Sequence, residues 1–182
     1  KDKEPELVEK LETEIMQTIA KSEQPEAKKI LCLASYRPLH QYNWCQKLEV
    51  LDNLEEVKSR LIKEPYAERA IVAEIPMLGE ISDDVSRKVR AQYEDNPYPR
   101  WIKTGIPTKA KSISEICAEV NLHLHSKSIK NVIAPAILIA GCGTGQHSIH
   151  TASRFSDCQV TAVDLSLASL AYAKWKTTEL GI

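Results

Sequence analysis

The sequence predicts an α/β fold in which a helical amino-terminal region precedes one β-α-β-α unit. Apolar residues recur at four-residue spacing early in the chain, which is typical of amphipathic helices. Further along, one apolar run of strand length leads into a glycine-rich turn, and a second ends at an acidic residue. We therefore expect helices over 1–80, a helix, a proline-rich segment and a linker helix over 81–130, and the β-α-β-α unit over 131–182.

The composition is that of a folded protein without a dominant charge. Lys and Arg total 24 against 25 Asp and Glu, so nothing in the net charge attracts the chain to nucleic acid or to an anionic membrane. The longest apolar stretch, 132–140, is about half the length of a membrane-spanning helix. Five cysteines without a C-x-x-C pair argue against a disulfide framework or a metal site. We expect a cytoplasmic protein with no membrane segment.

Four helices are expected in the amino-terminal region. The first carries an apolar residue at every fourth position over 7–19, which places one apolar stripe on a charged helix. The second is expected over 26–39. Two more are expected over 54–62 and 67–75, separated by Pro65 because proline interrupts a helix.

The middle region should contain one long and one short helix. Ser82 is expected to cap the first of them, since the two acidic residues that follow suit the positive end of the helix dipole. The segment 96–101 has two prolines one residue apart and is expected to be extended. A short helix is then expected over 112–122.

The β-α-β-α unit combines two continuous apolar strands with two helices that follow turn residues. These elements are expected over 136–140, 146–155, 159–163 and 167–180. Ser166 is the expected cap of the last helix, and Gly181 occupies the position where a helix commonly ends.

The glycine turn carries the strongest functional signal. Gly141, Gly143 and Gly145 lie between a strand and a helix, where bare backbone lets a ligand approach and N–H groups face it. Asp164 ends the second strand on the same edge of a parallel sheet, where a carboxylate can accept hydrogen bonds from both hydroxyls of a ribose. The sequence therefore predicts a nucleoside site. A dinucleotide site would need glycine where Gln146 stands, which disfavours NAD and FAD.

The run Ile-Leu-Ile-Ala-Gly-Cys-Gly-Thr-Gly-Gln, followed by Val-Thr-Ala-Val-Asp-Leu-Ser, closely resembles the first two motifs of class I S-adenosylmethionine-dependent methyltransferases. The resemblance implies a Rossmann-like sheet and S-adenosylmethionine as cofactor. The three glycines would line its methionine and ribose portion, Asp164 would hold the ribose, and Leu165 would lie near the adenine. Many members have an acid two residues before the first glycine, where this chain has Ile139, so that contact must come from elsewhere.

A second resemblance covers about residues 82–101. The run from Val85 through Asn-Pro-Tyr-Pro-Arg-Trp is similar to the segment before the glycine motif in bacterial methyltransferases often attached to tetratricopeptide repeats. Tyr98, Arg100 and Trp101, together with Tyr93, are expected to form a lid, because aromatic rings suit adenine and sulfonium while Arg suits a carboxylate. The alternative is that this segment only packs helices against the sheet.

A third and weaker resemblance concerns the order Asn96-Pro97-Tyr98-Pro99. It is similar to the Asn-Pro-Pro-Tyr loop with which amino-methyltransferases hold a substrate nitrogen, with the second proline and the aromatic residue interchanged. Cys142 lies inside the glycine turn, where a small side chain simply fits.

A complete sheet of this class has about seven strands, and the chain supplies two before Ile182. The resemblance therefore implies the amino-terminal part of a methyltransferase domain, inactive alone, with catalytic residues beyond Ile182 and with self-association through an exposed strand edge. The methyl acceptor is undefined, a small molecule or a protein. The alternatives are a helical protein-interaction module with a non-catalytic nucleotide-binding-like fold, and an oxidoreductase.

Overall fold

The chain divides into two units, Lys1–Ala67 and Glu68–Ile182, and the first of them is helical. The computed structural model describes residues 3–95 and 97–182. The α-helices of the first unit, the last of which runs on into the second, are α1 (Glu4–Ala20), α2 (Ala27–Ala34), α3 (Glu55–Lys58) and α4 (Glu64–Val72). Short 3₁₀ turns at Leu39–Gln41, Cys45–Lys47 and Val50–Asn53 connect α2 to α3.

The core of the first unit is mainly aliphatic. Six of its aliphatic side chains have at most 2% of their surface exposed: Ile15, Ile30, Leu33, Leu39, Leu48 and Leu51. At the start of the predicted apolar stripe of α1, Leu7 is 63% exposed, whereas Ile15 is completely buried. Leu11 and Ile19 also pack against this core, so the stripe is used for packing from Leu11 onward.

Several helix boundaries differ from the sequence prediction, and the helix expected over 67–75 is Glu64–Val72. The second helix ends at Ala34 rather than at residue 39, because the residue before Pro38 is disfavoured in helical conformation. Pro65 does not separate two helices. A single π-helical turn, Ser59–Lys63, joins α3 directly to α4. Pro65 is the second residue of α4 and directly follows this turn, so it lies within a continuous helical run whose hydrogen-bond pattern changes just before the proline.

The second unit contains the predicted β-α-β-α arrangement after three further helices. In chain order its remaining elements are α5 (Asp84–Asp95), α6 (Ile113–Glu119), α7 (Lys127–Lys130), β1 (Ala136–Ala140), α8 (Gln146–Arg154), β2 (Gln159–Val163) and α9 (Leu167–Leu180). Among the described residues the sheet consists of β1 and β2, which are parallel and in register from Ala136↔Gln159 to Ala140↔Val163. The next residue after each strand is therefore at the same edge: Gly141 and Asp164.

Two of the predicted helix ends agree with the structure and one differs. The Ser166 hydroxyl accepts from the Ser169 N–H at the start of α9, and Gly181 ends that helix in left-handed conformation. Ser112, for which no capping role was predicted, forms a capping box with Glu115 at the start of α6. At the start of α5 the cap is Asp83 rather than Ser82, since the Ser86 N–H donates to the Asp83 carboxylate at 2.7 Å. That hydrogen bond also lowers the pKa of Asp83.

A small aromatic core joins α8 and α9 to the segment that follows α5. Trp101, Ile149 and Tyr172 are each at most 7% exposed and form one cluster. The rings of Trp101 and Tyr172 meet edge to face, with their centroids 5.9 Å apart. As expected, residues 97–101 contain no helix. None of the described helices combines the length and the apolar character needed to cross a bilayer.

Candidate functional site

The glycine turn folds back over the end of β2. Gly141, Gly143 and Gly145 all have positive φ, at 69°, 53° and 81°, which residues with side chains rarely adopt. The backbone N–H groups of Gly141 and Cys142 both donate to the Val163 carbonyl, at 2.8 and 3.0 Å. The turn therefore needs glycine for its conformation, whatever else it does.

Asp164 organises this turn with both of its carboxylate oxygens. One oxygen accepts from Gly143 N–H at 2.7 Å, and the other accepts from Ser166 N–H at 2.9 Å. Each oxygen retains a lone pair for a further donor. The predicted proximity of Asp164 to the glycine turn is thus a direct hydrogen bond.

The segment 97–101 is fastened to the same turn from the side. The Trp101 indole N–H donates to the Thr144 carbonyl at 3.0 Å, and the Thr144 hydroxyl donates to the Pro99 carbonyl at 2.7 Å. The Tyr172 hydroxyl also donates to the Trp101 carbonyl. Asn96, the first residue of the Asn-Pro-Tyr-Pro order, lies outside the described residues.

A cavity of about 890 Å³ opens at this edge of the sheet. Its walls come from the segment 75–81, from α5, and from the strand ends together with the start of α9. The predicted site residues that line it are Gly141, Gly143, Asp164, Leu165 and Tyr98. Tyr98 is 74% exposed and Leu165 is 43% exposed, so both offer apolar surface without being part of the core.

Three other predicted site residues do not line the cavity. Trp101 is only 7% exposed, because it packs against Ile149 and Tyr172. The Arg100 guanidinium makes two hydrogen bonds to the Glu68 carboxylate, at 3.0 and 2.5 Å, and lies over the Tyr172 ring. Gly145 is buried, and a Cβ there would be only 2.5 Å from the Ala173 Cβ. The structure therefore gives Gly145 a packing role between the turn and α9.

The cavity also has walls that sequence reasoning did not identify. The segment 75–81 carries Met77 and Leu78, which are 68% and 89% exposed. Helix α5 contributes Val89 and Arg90, beside Tyr93, which the sequence had placed in the expected lid. The four-residue spacing of Val89 and Tyr93 marked an apolar face of α5, but spacing alone does not say which surface that face covers.

Helix α5 is held to α9 by Glu94. Its carboxylate accepts from the Leu167 N–H at 2.6 Å and from the Ala168 N–H at 3.3 Å. These are two of the first N–H groups of α9, which have no partner within the helix. The contact fixes the position of α5 beside the strand ends.

Cys142 is buried within the glycine turn. Burial, and secondarily the charge of Asp164, raises the pKa of its thiol to about 11. It is 8% exposed and does not line the cavity. Its Sγ lies 3.6 Å from the Gly143 carbonyl oxygen.

A family model described as a methyltransferase domain matches residues 137–182, about a quarter of the chain. The matched range contains the glycine turn, Asp164 and Leu165, whereas α5 and the segment 97–101 lie outside it. The match supports a methyltransferase domain in this part of the chain, and thus methyltransferase activity in general. Neither the curated proteins nor the solved structures include a significant match to the chain.

Proposed function

We propose that the cavity beside the glycine turn binds S-adenosylmethionine and that the protein is a methyltransferase using this cofactor. The observation that carries the proposal is the direct hydrogen bond between Gly143 and Asp164 inside the range matched by the methyltransferase model. That bond places the Asp164 carboxylate, which can accept hydrogen bonds from a ribose, next to the glycine turn in the wall of the cavity.

The space around the turn fits such a ligand. A Cβ added at Gly141 or at Gly143 would meet no atom within 4 Å, so open space lies over both residues. The lone pairs that remain on Asp164 can accept from the two ribose hydroxyls. Leu165 and Tyr98 supply apolar surface suited to the adenine ring.

Two residues predicted as ligand contacts have a supporting role in this proposal. Trp101 holds the Thr144 carbonyl and so fixes the glycine turn from outside the cavity. Arg100, paired with Glu68, fixes the segment that carries Tyr98. The bound cofactor supplies an electrophilic methyl group on a sulfonium, and the residues of this chain bind and orient it toward an acceptor that is not identified.

Calorimetric titration of the 182-residue chain with S-adenosylmethionine, S-adenosylhomocysteine and NAD tests the proposal. We expect saturable binding of both adenosyl ligands and at least about tenfold weaker binding of NAD, because Gln146 replaces the third glycine of a dinucleotide site. Tighter binding of NAD would favour the oxidoreductase alternative. A folded chain that binds none of the three would contradict the proposal and favour an interaction module.

A further inference from the structure

The walls of the cavity contain one cationic side chain in the part of the chain that the structure describes, that of Arg90 on α5. Over the same residues, Asp164 is the one acidic side chain that lines it. The other wall residues are neutral and mostly apolar. An anionic group on a bound ligand therefore has a single cationic partner available.

The Arg90 guanidinium has donors to spare. Its Nε contacts the Glu94 carboxylate at 3.4 Å, at the long end of the hydrogen-bond range. Glu94 is itself held by two backbone N–H groups of α9. Across residues 3–95 and 97–182, neither terminal nitrogen of Arg90 has a hydrogen-bond partner. The paired terminal N–H groups of a guanidinium match the two oxygens of a carboxylate.

Arg100, the residue that the sequence pointed to for this role, is committed elsewhere. Both of its terminal nitrogens bind the Glu68 carboxylate, which is only 10% exposed. Releasing Arg100 toward a ligand would leave a mostly buried carboxylate without its partner, which is costly. Arg90 is half-buried, with 37% of its side chain exposed, and needs no such exchange.

We propose that Arg90 binds the carboxylate of the ligand in this cavity, which on the function proposed above is the carboxylate of the methionine portion of S-adenosylmethionine. The inference rests on that proposed function. In this assignment Asp164 binds the sugar hydroxyls and Arg90 binds the carboxylate. Arg90 is a binding residue and does not act on the methyl group.

The test compares two ligands that differ only in this carboxylate: S-adenosylmethionine and its decarboxylated form. Calorimetry gives both dissociation constants for the wild-type chain, Arg90→Gln, Arg100→Gln and Lys88→Gln. Lys88→Gln is the matched control, because it removes one positive charge from an exposed position of α5 that does not line the cavity. Thermal melts confirm that each variant is folded.

We expect Arg90→Gln to weaken binding of S-adenosylmethionine about ten- to a hundredfold and to change binding of the decarboxylated ligand less than about twofold. Lys88→Gln should change neither by more than about twofold. Three outcomes would overturn the role of Arg90 while leaving the proposed function standing. Arg90→Gln could weaken binding of both ligands equally, or it could leave both dissociation constants unchanged. Alternatively, Arg100→Gln could be the variant that selectively weakens binding of the ligand with the carboxylate. A wild-type chain that binds neither ligand would overturn both.

Discussion

The Glu94 carboxylate accepts a hydrogen bond from the Leu167 backbone N–H at 2.6 Å, so a side chain of α5 supplies part of the N-terminal cap of α9. The Ser166 hydroxyl caps Ser169 in the same turn. Two residues 72 positions apart in the sequence, Glu94 and Ser166, therefore share one helix start. This contact couples the stability of α9 to the position of the helix that forms one wall of the cavity.

We predict that Glu94→Ala lowers the free energy of unfolding by about 1 kcal/mol, the usual cost of losing a helix cap. Binding of S-adenosylmethionine should weaken as well, because α5 loses its attachment to α9. Asp95→Ala, a charge removal at the next and exposed position, serves as the control in urea denaturation and calorimetry. Equal stability of the two variants would show that the Glu94 contact does not stabilise the fold.

Asp164→Ala should weaken binding of S-adenosylmethionine by about 1.5 to 3 kcal/mol, the range for hydrogen bonds to a charged group. Because Asp164 also accepts from two backbone N–H groups, the same change should lower the melting temperature. Asp164→Asn keeps one acceptor oxygen and should separate the two effects, with a smaller loss of stability. A folded Asp164→Ala chain with an unchanged dissociation constant would remove this residue from the site.

Tyr98 and Trp101 are expected to respond in opposite ways to replacement by alanine. Trp101→Ala should cost about 3 to 5 kcal/mol of stability, since the ring is 7% exposed and packs on Tyr172. Tyr98→Ala should leave the melting temperature nearly unchanged, because this ring is 74% exposed, but should raise the dissociation constant of the cofactor.

Trp101→Phe is the intermediate variant for this pair, because it keeps one aromatic ring and removes both the N–H that donates to the Thr144 carbonyl and part of the buried ring volume. It should cost less stability than Trp101→Ala. A large thermal shift in Tyr98→Ala would mean that this side chain packs in the core and is not part of the binding surface.

Comparing Gly141→Ala with Gly145→Ala should distinguish a glycine that faces open space from one that is needed for packing against α9. Both residues have positive φ, so each change carries roughly 1 to 2 kcal/mol of backbone strain. At Gly145 the new Cβ would also lie 2.5 Å from the Ala173 Cβ, which adds about 1 to 3 kcal/mol of overpacking. Urea denaturation should therefore rank Gly145→Ala as clearly less stable, and Ala173→Gly in the same chain should restore part of the loss. Equal costs would argue against the packing role.

Cys142 should resist alkylation and contribute a pH dependence to stability. At pH 8.5 iodoacetamide should modify the exposed Cys32 well before Cys142, as peptide mass spectrometry would reveal. The folded-state pKa of about 11 lies above the ordinary value of 9.0. Between these values the unfolded chain has lost the proton and the folded chain retains it, so stability falls as pH rises from 9 to 11. Cys142→Ala should lack this part of the decline, and an identical pH profile would contradict the raised pKa.

Local signals in the sequence were enough to predict the β-α-β-α unit. The signals are short-range: continuous apolar runs, glycine and serine residues at the ends of elements, and an acid at a strand end. The structure agrees with them at β1, β2 and the Ser166 cap. The prediction that Pro65 separates two helices was wrong, because a π-helical turn just before the proline keeps the helical run continuous. No single residue type encodes such a turn.

Which residues line the cavity could not be predicted from local sequence, because it depends on tertiary contacts. Arg100 and Arg90 look equally suited to a carboxylate in the sequence, and only the position of Glu68 distinguishes them. The sequence likewise places both Trp101 and Tyr98 in the lid, because it does not show which of the two rings is buried. The burial of a side chain follows from what packs against it, and neighbouring positions of an extended segment face opposite ways.

The contact between Gly145 and Ala173 also bears on how relatives of this chain can be recognised. Two glycines of the motif face open space, so substitutions there are limited by backbone conformation and by any ligand. The third is limited by a methyl group 28 positions later in the chain. In an alignment, a side chain at position 145 should occur only where position 173 has become smaller. That paired pattern identifies sequences with this arrangement of turn and helix, including those that bind no cofactor.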